Sequence, residues 1–426
     1  MKKLSLKINR IEGEIIPPAD KSITHRAIIL GALAKKGLRI NRALISGDTL
    51  STVDCFRKLG KEITIKGNDI YVAAGPLKEP IEILNCHNSG TTARLLAGLL
   101  SAQPFYSVID GDNSLRQRPM KRIVGPLSLM GARIFGRQEG AFLPISIKGG
   151  ELQAIDYELP VASAQVKSAI LLAGLFTEGQ TTVREKIKSR DHLERMLKYF
   201  GQEISLEEKT VKIRGKKKIE LEGGEIAVPG DISSAAFLIT AAVLVPKSRL
   251  IVRQVNYNPT RIGFIKKLLQ MGARLSVLNL KEEYNEEVAD LEVKFSELKA
   301  VEITAEEVPA LIDEIPLFAL LATQAIGISR ISGAKELRYK ECDRLRALYL
   351  NLRKMGARIE EQEDGLIIEG PTRLKGAEVQ SFNDHRIAMT MIIAALIAEG
   401  EMSLDSLDCI QISYPEFRQH LLTICH

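Results

Sequence analysis

The chain has 426 residues, of which 45% are hydrophobic and 26% charged, as is typical of a folded protein. A chain of this length rarely folds around a single core, so we expect two domains. The net charge of +6 suits an anionic ligand. Basic and acidic residues are interleaved and aromatic residues make up only 5%, so we expect no nucleic-acid partner.

The cysteines and the apolar segments indicate in which cellular compartment the protein is expected. Five cysteines are widely scattered and lack the spacing of a metal site, which predicts reduced thiols, a cytoplasmic location and no bound metal. The N-terminal residues lack the apolar core of a signal peptide, and no uncharged apolar run reaches about 18 residues. We therefore predict that the protein does not interact with a membrane.

The first predicted helix follows Asp20, a residue type that caps helices, and becomes apolar from Ala27 onward. Its first turn contains Lys21, Ser22 and Arg26. Cations at this end of a helix oppose the helix dipole at a cost of about 0.3–1 kcal/mol each, and a bound anion would remove this penalty. The alternative is a surface helix with scattered charge. The apolar residues that follow favour an anion site.

Two repeated patterns continue along the chain. Apolar helix ends are followed by glycine at Gly60, Gly131, Gly201, Gly272 and Gly356, with spacings of 71, 70, 71 and 84 residues. Polar residues open nearly all-apolar helices at Asp20, Asn88, Ser163, Asp231, Asp313 and Asp384. Because a helix that is apolar on every side must be buried, each repeat pairs one buried helix with one amphipathic helix and short strands. Six such repeats fill the chain, either as a solenoid or as two domains of three repeats.

Most polar clusters lie at these helix starts. Asn88 and Gly90 precede one buried helix, where glycine permits close approach of a ligand to the backbone. Arg118 lies beside a proline that marks a helix start. Basic residues that recur at helix starts favour binding of phosphate or carboxylate groups.

The C-terminal half supplies carboxylates. Asp313 and Glu314 open a buried helix, and capping of that helix explains only one of them. His385 lies between Asp384 and Arg386, and this position makes it a candidate for proton transfer. The chain contains no Walker A, GxGxxG, HExxH or GxSxG motif, so a nucleotide site, a metalloprotease and a hydrolase elbow are not indicated.

Taken together, these segments closely resemble the EPSP synthase (3-phosphoshikimate 1-carboxyvinyltransferase) family. Nine stretches match in the order of the family, at 20–26, 88–94, 115–120, 163–167, 189–192, 229–235, 313–316, 340–344 and 383–386. The resemblance implies transfer of the enolpyruvyl group of phosphoenolpyruvate to the 5-hydroxyl of shikimate 3-phosphate, with release of phosphate. It also implies a cytoplasmic monomer that needs no cofactor and binds only these small anionic substrates.

The resemblance also implies an α/β fold, the two-domain enolpyruvyl transferase fold with six βαβαββ units, three in each domain. Residues 1–17 with 231–426 would form the lower domain and residues 18–230 the upper domain. The two domains would close on the substrate.

Roles for individual residues follow from the same resemblance. Asp313 would act as the base, Lys21 and Glu341 would share proton transfer at the enolpyruvyl carbon, and His385 would support them. The residues implied for shikimate 3-phosphate are Lys21, Ser22, Arg26, Ser163, Ala164, Gln165, Ser189, Arg190, Asp313 and Lys340. Those implied for phosphoenolpyruvate are Lys21, Asn88, Gly90, Arg118, Gln165, Arg344 and Arg386.

The chain departs from the family pattern at Ala164, His192 and Ile412, where relatives carry serine, tyrosine and lysine, and in this it looks like the second subclass of the family. Two alternatives remain open. A sister enolpyruvyl transferase that acts on a UDP-sugar has Lys-Asn in place of Lys21-Ser22, and it usually has a cysteine in a loop where residues 110–118 have none. A non-catalytic phosphate- or RNA-binding protein of the same fold would not need Asp313 and Glu341.

Overall fold

The computed structural model describes residues 2–4, 8–216, 219 and 221–426. The chain divides into two compact units. Unit 1 consists of Met1–Pro18, Pro229–Glu283 and Glu287–His426, and unit 2 consists of Ala19–Val228 and Tyr284–Glu286. Each unit has its own hydrophobic core.

The helices, in chain order, are α1 (Lys21–Leu33), α2 (Gly47–Lys58), α3 (Gly90–Ser101), α4 (Lys121–Leu129), α5 (Arg137–Gly140), α6 (Ala164–Gly174), α7 (His192–Tyr199), α8 (Ile232–Leu244), α9 (Gly263–Gln270), α10 (Val308–Leu311), α11 (Ile315–Gln324), α12 (Arg344–Lys354), α13 (His385–Ala395) and α14 (Phe417–Ile424). Short 3-10 helices lie at Leu115–Gln117, Lys335–Tyr339 and Asp408–Ile412.

The strands, in chain order, are β1 (Lys2–Lys3), β2 (Glu12–Ile15), β3 (Leu38–Asn41), β4 (Ile63–Lys66), β5 (Asp69–Val72), β6 (Leu84–Asn85), β7 (Tyr106–Asp110), β8 (Arg133–Gly136), β9 (Phe142–Lys148), β10 (Asp156–Leu159), β11 (Gly179–Glu185), β12 (Ile204–Glu207), β13 (Thr210–Gly215), β14 (Gly224–Ala227), β15 (Arg249–Asn256), β16 (Arg274–Glu283), β17 (Glu286–Lys294), β18 (Glu302–Ile303), β19 (Gly327–Ile331), β20 (Arg358–Gln362), β21 (Gly365–Gly370), β22 (Glu378–Val379) and β23 (Ser403–Leu404).

The described strands of unit 2 form sheets with the orders β14-β3-β5-β4, β6-β7-β9-β8 and β10-β11-β13-β12. In each of these sheets the first two strands pair in parallel and the next two pairs are antiparallel. A buried helix joins the parallel strands in two of the sheets, as the crossover of a βαβ unit requires. These crossovers are β6–α3–β7 and β10–α6–β11.

The described strands of unit 1 form two four-stranded sheets, with the orders β16-β17-β15-β2 and β18-β19-β21-β20, and a three-stranded sheet with the order β1-β23-β22. The chain passes from unit 1 to unit 2 after β2 and returns to unit 1 after β14. β2 comes before α1 in the chain but pairs in parallel with β15 of unit 1, and β14 comes before α8 but pairs in parallel with β3 of unit 2. These six small mixed sheets, three in each unit, confirm the predicted α/β fold class.

The buried helices α1, α3, α6, α8, α11 and α13 are those that the sequence predicts. Asp20, Ser163, Asp231 and Asp384 each accept a backbone hydrogen bond at the start of their helix. The other two starts lie one residue later than expected, because Ser89 caps α3 and Glu314 holds the cap position of α11. The Glu314 side chain makes no cap hydrogen bond.

Helices α3 and α6 touch through their backbones. A Cβ atom added to Gly98 would lie 2.2 Å from the carbonyl oxygen of Ala169, well inside van der Waals contact. Glycine at this position therefore sets the distance between the two helices, which carry Gly90 and Gln165 in their first turns. Within the described part of the chain, no helix is long and apolar enough to cross a membrane.

Candidate active site

The start of α1 in unit 2 carries two cations that have protein partners. The Lys21 Nζ atom lies 3.0 Å from Asp48 Oδ2. Arg26 is almost fully buried and donates hydrogen bonds to the Ser22 carbonyl at 3.0 Å and to Ser168 Oγ at 2.9 Å. The guanidinium of Arg26 is thus held between α1 and α6, while Lys21 and Ser22 remain partly exposed.

A chain of buried hydrogen bonds ties the starts of three helices together. His25 Nδ1 lies 2.7 Å from Thr52 Oγ1, which lies 2.7 Å from Thr92 Oγ1, and Thr92 in turn donates to Ser89 Oγ at 2.7 Å. Burial lowers the pKa of His25 well below its ordinary value, and Lys21 and Arg26 lower it further. A neutral His25 therefore serves the packing of α1, α2 and α3, without adding positive charge.

The start of α3 brings together residues predicted to bind phosphoenolpyruvate. Arg118 donates to Asn88 Oδ1 at 2.7 Å and to the Asn88 carbonyl at 3.2 Å. Arg94 donates to Gln165 Oε1 at 2.7 Å. A Cβ atom at Gly90 would lie 2.8 Å from the Arg94 guanidinium, so the absence of a side chain makes room for this arginine.

Ser163 and Ala164 begin α6, and the Ser163 hydroxyl accepts the amide hydrogen of Val166 at 3.4 Å. Ser189 is buried, and both its amide and its hydroxyl donate to Glu185. Glu185 also lies 2.7 Å from the Lys167 ammonium. A buried ion pair therefore fixes the loop that holds Ser189 and the half-buried Arg190.

His192 points into unit 2. Its side chain is fully buried, and Nδ1 lies 2.7 Å from Oε1 of Glu286, the first residue of β17 after the turn that joins it to β16. Arg195, one turn further along α7, donates to the carbonyl of Asn285 in the same turn at 2.9 Å. The histidine at this departure from the family pattern thus fastens residues 284–286 to α7.

In unit 1, Arg344 gathers three carboxylates around one buried guanidinium. Its Nε donates to Asp384 Oδ2 at 2.7 Å, Nη2 donates to Glu341 Oε2 at 2.5 Å, and Nη1 reaches Asp313 Oδ1 at 3.5 Å. Burial alone would lower the pKa of Arg344, but these carboxylates outweigh it and raise the pKa. We name Asp313, Glu341, Arg344, Asp384 and Arg386 the carboxylate cluster.

Asp313 lies against two arginines. Arg386 Nη1 donates to the Asp313 carbonyl at 3.2 Å, and Arg386 Nε lies 3.6 Å from Asp313 Oδ1. The Asp313 side chain keeps 14% of its surface exposed, whereas Arg344 and Asp384 are almost fully buried. The carboxylate of Asp313 is therefore fixed in place and still open to a small ligand.

The remaining predicted residues of unit 1 lie next to this cluster in the chain. Lys340 follows a 3-10 helix and is half-buried, and His385 is the buried first residue of α13. Burial, then Asp384, raises the pKa of the Cys342 thiol, which therefore stays protonated at neutral pH. Cys342 Sγ lies 3.7 Å from Asp384 Oδ2.

Sequence reasoning missed several partners. Asp48 pairs with Lys21 across 27 residues and Glu286 pairs with His192 across 94 residues, and neither has a local pattern that points to its partner. Arg94 could have been predicted from the sequence, because it lies one helical turn after Gly90 and therefore on the same face of the helix. Unit 2 thus offers guanidinium and amide donors, and unit 1 offers carboxylates held against arginine. Such groups suit anion binding and general acid–base chemistry.

Comparison with known proteins shows to which family the chain is similar. The sequence pattern of EPSP synthase (3-phosphoshikimate 1-carboxyvinyltransferase) matches residues 6–421. The chain is 50% identical to the 3-phosphoshikimate 1-carboxyvinyltransferase of Thermodesulfovibrio yellowstonii over 422 residues, which is 98% of each chain. It is 49% identical to the protein of the same description from Aquifex aeolicus over 431 residues, covering 100% of this chain and 99% of that one.

Solved structures agree with the sequence comparison. An EPSP synthase from Acinetobacter baumannii superposes with a TM-score of 0.88 at 40% identity, covering 99% of this chain and 98% of that one. The enolpyruvyl transferase NikO from Streptomyces tendae gives a TM-score of 0.79 over 99% of this chain and 96% of that one. At 18% identity this second likeness concerns the fold alone.

Proposed function

Because the chain belongs to the EPSP synthase (3-phosphoshikimate 1-carboxyvinyltransferase) family, we propose that the clusters described above carry the reaction of that family. The enolpyruvyl group of phosphoenolpyruvate is transferred to the 5-hydroxyl of shikimate 3-phosphate, and phosphate is released. The activity is that of a transferase in aromatic amino acid biosynthesis. The observation that carries the assignment of roles is Asp313, a partly exposed carboxylate fixed between Arg344 and Arg386.

In the addition step, Asp313 removes the proton of the 5-hydroxyl while that oxygen forms a bond to C2 of phosphoenolpyruvate. The methylene carbon of phosphoenolpyruvate gains a proton in the same step, supplied by Lys21 or Glu341 with support from His385. The product is a tetrahedral intermediate. The elimination step reverses both roles: the group that supplied the proton takes one back from the methyl carbon, the double bond re-forms, and the C2–O bond to phosphate breaks as Asp313 returns its proton to the departing phosphate.

The substrate residues proposed for phosphoenolpyruvate are Lys21, Asn88, Gly90, Arg118, Gln165, Arg344 and Arg386. Those proposed for shikimate 3-phosphate are Lys21, Ser22, Arg26, Ser163, Ala164, Gln165, Ser189, Arg190, Asp313 and Lys340. Forked guanidinium groups support the first set, because they can bind carboxylate or phosphate with two hydrogen bonds. The hydroxyls, together with the buried guanidinium of Arg26, support the second.

A phosphate-release assay with both substrates tests the activity, and Asp313→Asn tests the role of the base. Loss of a general base typically lowers the rate by about 10²–10⁴-fold, so we expect a loss in this range from Asp313→Asn. Asp156→Asn provides a control, because it alters an exposed ion pair with Arg184. We expect this control to leave the rate unchanged.

The alternatives predict different results in the same assay. A UDP-sugar transferase would release phosphate with a UDP-sugar and not with shikimate 3-phosphate. A binding protein would release none with either acceptor. Full activity of Asp313→Asn, with phosphate release intact, would leave the activity in place and remove Asp313 from the mechanism.

A further inference from the structure

A second group of buried polar side chains includes Glu314, the residue that follows Asp313 in the chain. Glu314, Ser233 and Arg261 are each at most 2% exposed and all belong to unit 1. The Ser233 hydroxyl donates to Glu314 Oε1. Arg261 Nη2 donates to Ser233 Oγ at 2.9 Å and to Asp231 Oδ1 at 3.2 Å. We name Ser233, Arg261 and Glu314 the buried brace.

The proposed reaction gives these side chains no chemical task. Burial of charged groups is costly, and apolar residues of similar size often stabilise a protein at least as well. Buried polar groups can instead fix one arrangement of a structure. The brace therefore calls for an explanation in terms of position rather than stability.

The geometry of the brace indicates that it positions Asp313. Glu314 holds the cap position of α11, but its carboxylate bonds Ser233 at the start of α8 instead of capping its own helix. Because consecutive Cα atoms are about 3.8 Å apart, fixing Glu314 also restricts the peptide of Asp313. Arg386 also donates a hydrogen bond to the carbonyl of Asp313, at 3.2 Å, and this carbonyl belongs to the peptide that joins Asp313 to Glu314.

The brace is itself anchored. Thr260 donates from both its amide and its hydroxyl to Asn258 Oδ1, at 2.8 and 2.7 Å, and the Arg261 amide donates to the Asn258 carbonyl at 2.8 Å. The Asn256 amide donates to the Gly230 carbonyl at 2.8 Å. Asn256, Asn258 and Thr260 are buried, and their hydrogen bonds hold the segment that carries Arg261.

We propose that Ser233, Arg261 and Glu314 are positioning residues that hold Asp313 at the angle needed for proton removal. The proposal rests on the assignment of Asp313 as the base. It predicts that weakening the brace lowers kcat more than it raises the KM for phosphoenolpyruvate. Asn88, Gly90 and Arg118 of unit 2 are untouched, whereas Arg344 and Arg386, which are also proposed for this substrate, contact Asp313.

Ser233→Ala tests the brace, and Ser248→Ala is its matched control. Ser248 is also buried, and its hydroxyl accepts the Ile11 amide hydrogen at 2.7 Å in the same unit. Because misplacement of a reacting group by about 1 Å can cost about 100-fold, we expect Ser233→Ala to lower kcat by about 10–100-fold. We expect Ser248→Ala to lower thermal stability to a similar extent and to leave kcat unchanged.

Two conservative variants complete the experiment. Glu314→Gln keeps an acceptor for the Ser233 hydroxyl, so the kcat of this variant should stay within about threefold of that of the unmodified protein. Ser233→Cys keeps a weak donor and should give an intermediate kcat. It also provides a second test if Ser233→Ala does not fold.

The outcomes separate this proposal from the one on which it rests. Equal kcat values for Ser233→Ala and Ser248→Ala, or a loss in Glu314→Gln as large as that in Ser233→Ala, would overturn the positioning role. Full activity of Asp313→Asn would instead remove the base assignment. A drop in the stability of Ser233→Ala with unchanged kcat would make the brace purely structural.

Discussion

Arg344 is a cation at the start of a helix whose negative partners are carboxylates of the protein itself. The sequence predicts that an arginine at the first position of α12 needs an anionic ligand to offset the helix dipole. In the structure, Asp384, Glu341 and Asp313 already surround its guanidinium. The anion that balances this cation is therefore supplied by the protein. A cation in the first turn of a helix indicates a nearby negative charge, from a ligand or from the chain.

Replacing Arg344 with lysine tests the importance of this forked geometry. Lysine keeps the charge but cannot reach three carboxylates in one plane, and each lost charge-assisted hydrogen bond is worth about 1.5–3 kcal/mol. We therefore expect kcat/KM for phosphoenolpyruvate to fall by about 10–100-fold or more, since 1.4 kcal/mol corresponds to about tenfold. Steady-state kinetics with shikimate 3-phosphate held at saturation would measure the change.

Arg346→Lys is the matched control. Arg346 lies two residues further along α12, has an exposed side chain, and pairs with Glu361 at 2.8 Å outside the carboxylate cluster. Its replacement should leave the kinetics unchanged. Similar kinetics for the Arg344 and Arg346 variants would contradict the view that the arginine geometry organises the carboxylates.

At this scale the sequence predicted what is local. Asp20, Ser163, Asp231 and Asp384 cap their helices as expected, because a cap is decided by a residue and its next three neighbours. Pairs such as His192 with Glu286 are set by the fold and have no local pattern. The individual roles of the candidate site residues stay predictions until the kinetic variants are measured.

At the scale of elements, the contact between α3 and α6 depends on one residue without a side chain. Gly98 faces the backbone of Ala169 so closely that even a methyl group would meet its carbonyl oxygen at 2.2 Å. Backbone atoms cannot move aside as a flexible side chain can. Any larger residue must therefore separate the two helices, whose first turns hold Gly90 and Gln165.

Gly98→Ala should therefore destabilise unit 2. Overpacking a core typically costs about 1–3 kcal/mol, and we expect the free energy of unfolding to fall by at least this amount. Gly47→Ala is the matched control, because Gly47 is also helical but nothing lies within 4 Å of an added Cβ atom. Alanine has a higher helix propensity than glycine, so we expect Gly47→Ala to raise the free energy of unfolding slightly. Urea unfolding of both variants would measure the two changes, and a change of the same sign in both would contradict the packing argument.

The buried helices were the elements most easily predicted. Helices such as α8 and α11 are apolar on every side, and this property alone requires burial. The starts of α3 and α11 were misplaced by one residue, because adjacent polar residues compete for the cap position. Very short strands, such as β6 and β18 with two residues each, are too short to show an alternating pattern. The sequence therefore did not locate these strands.

At the scale of the whole molecule, the proposed substrate residues are divided between two units with separate cores. Arg26, Ser163 and Gln165 belong to unit 2, whereas Asp313 and Lys340 belong to unit 1. A ligand that binds only the folded form of a unit stabilises that folded form relative to the unfolded one. If residues of both units bind shikimate 3-phosphate, this ligand must therefore stabilise both units together.

Hydrogen exchange with and without shikimate 3-phosphate would test this division. At about 100 times its dissociation constant, a ligand stabilises the folded form by about 2.7 kcal/mol, which slows exchange through global unfolding by about 100-fold. We expect slowing of this order in α6 of unit 2 and also in α11 of unit 1. Shikimate without its phosphate should protect both helices less at the same concentration, because it lacks a group that forms charge-assisted hydrogen bonds. Protection confined to α6 would mean that Asp313 and Lys340 do not hold this substrate, and their assignment to it would then be wrong.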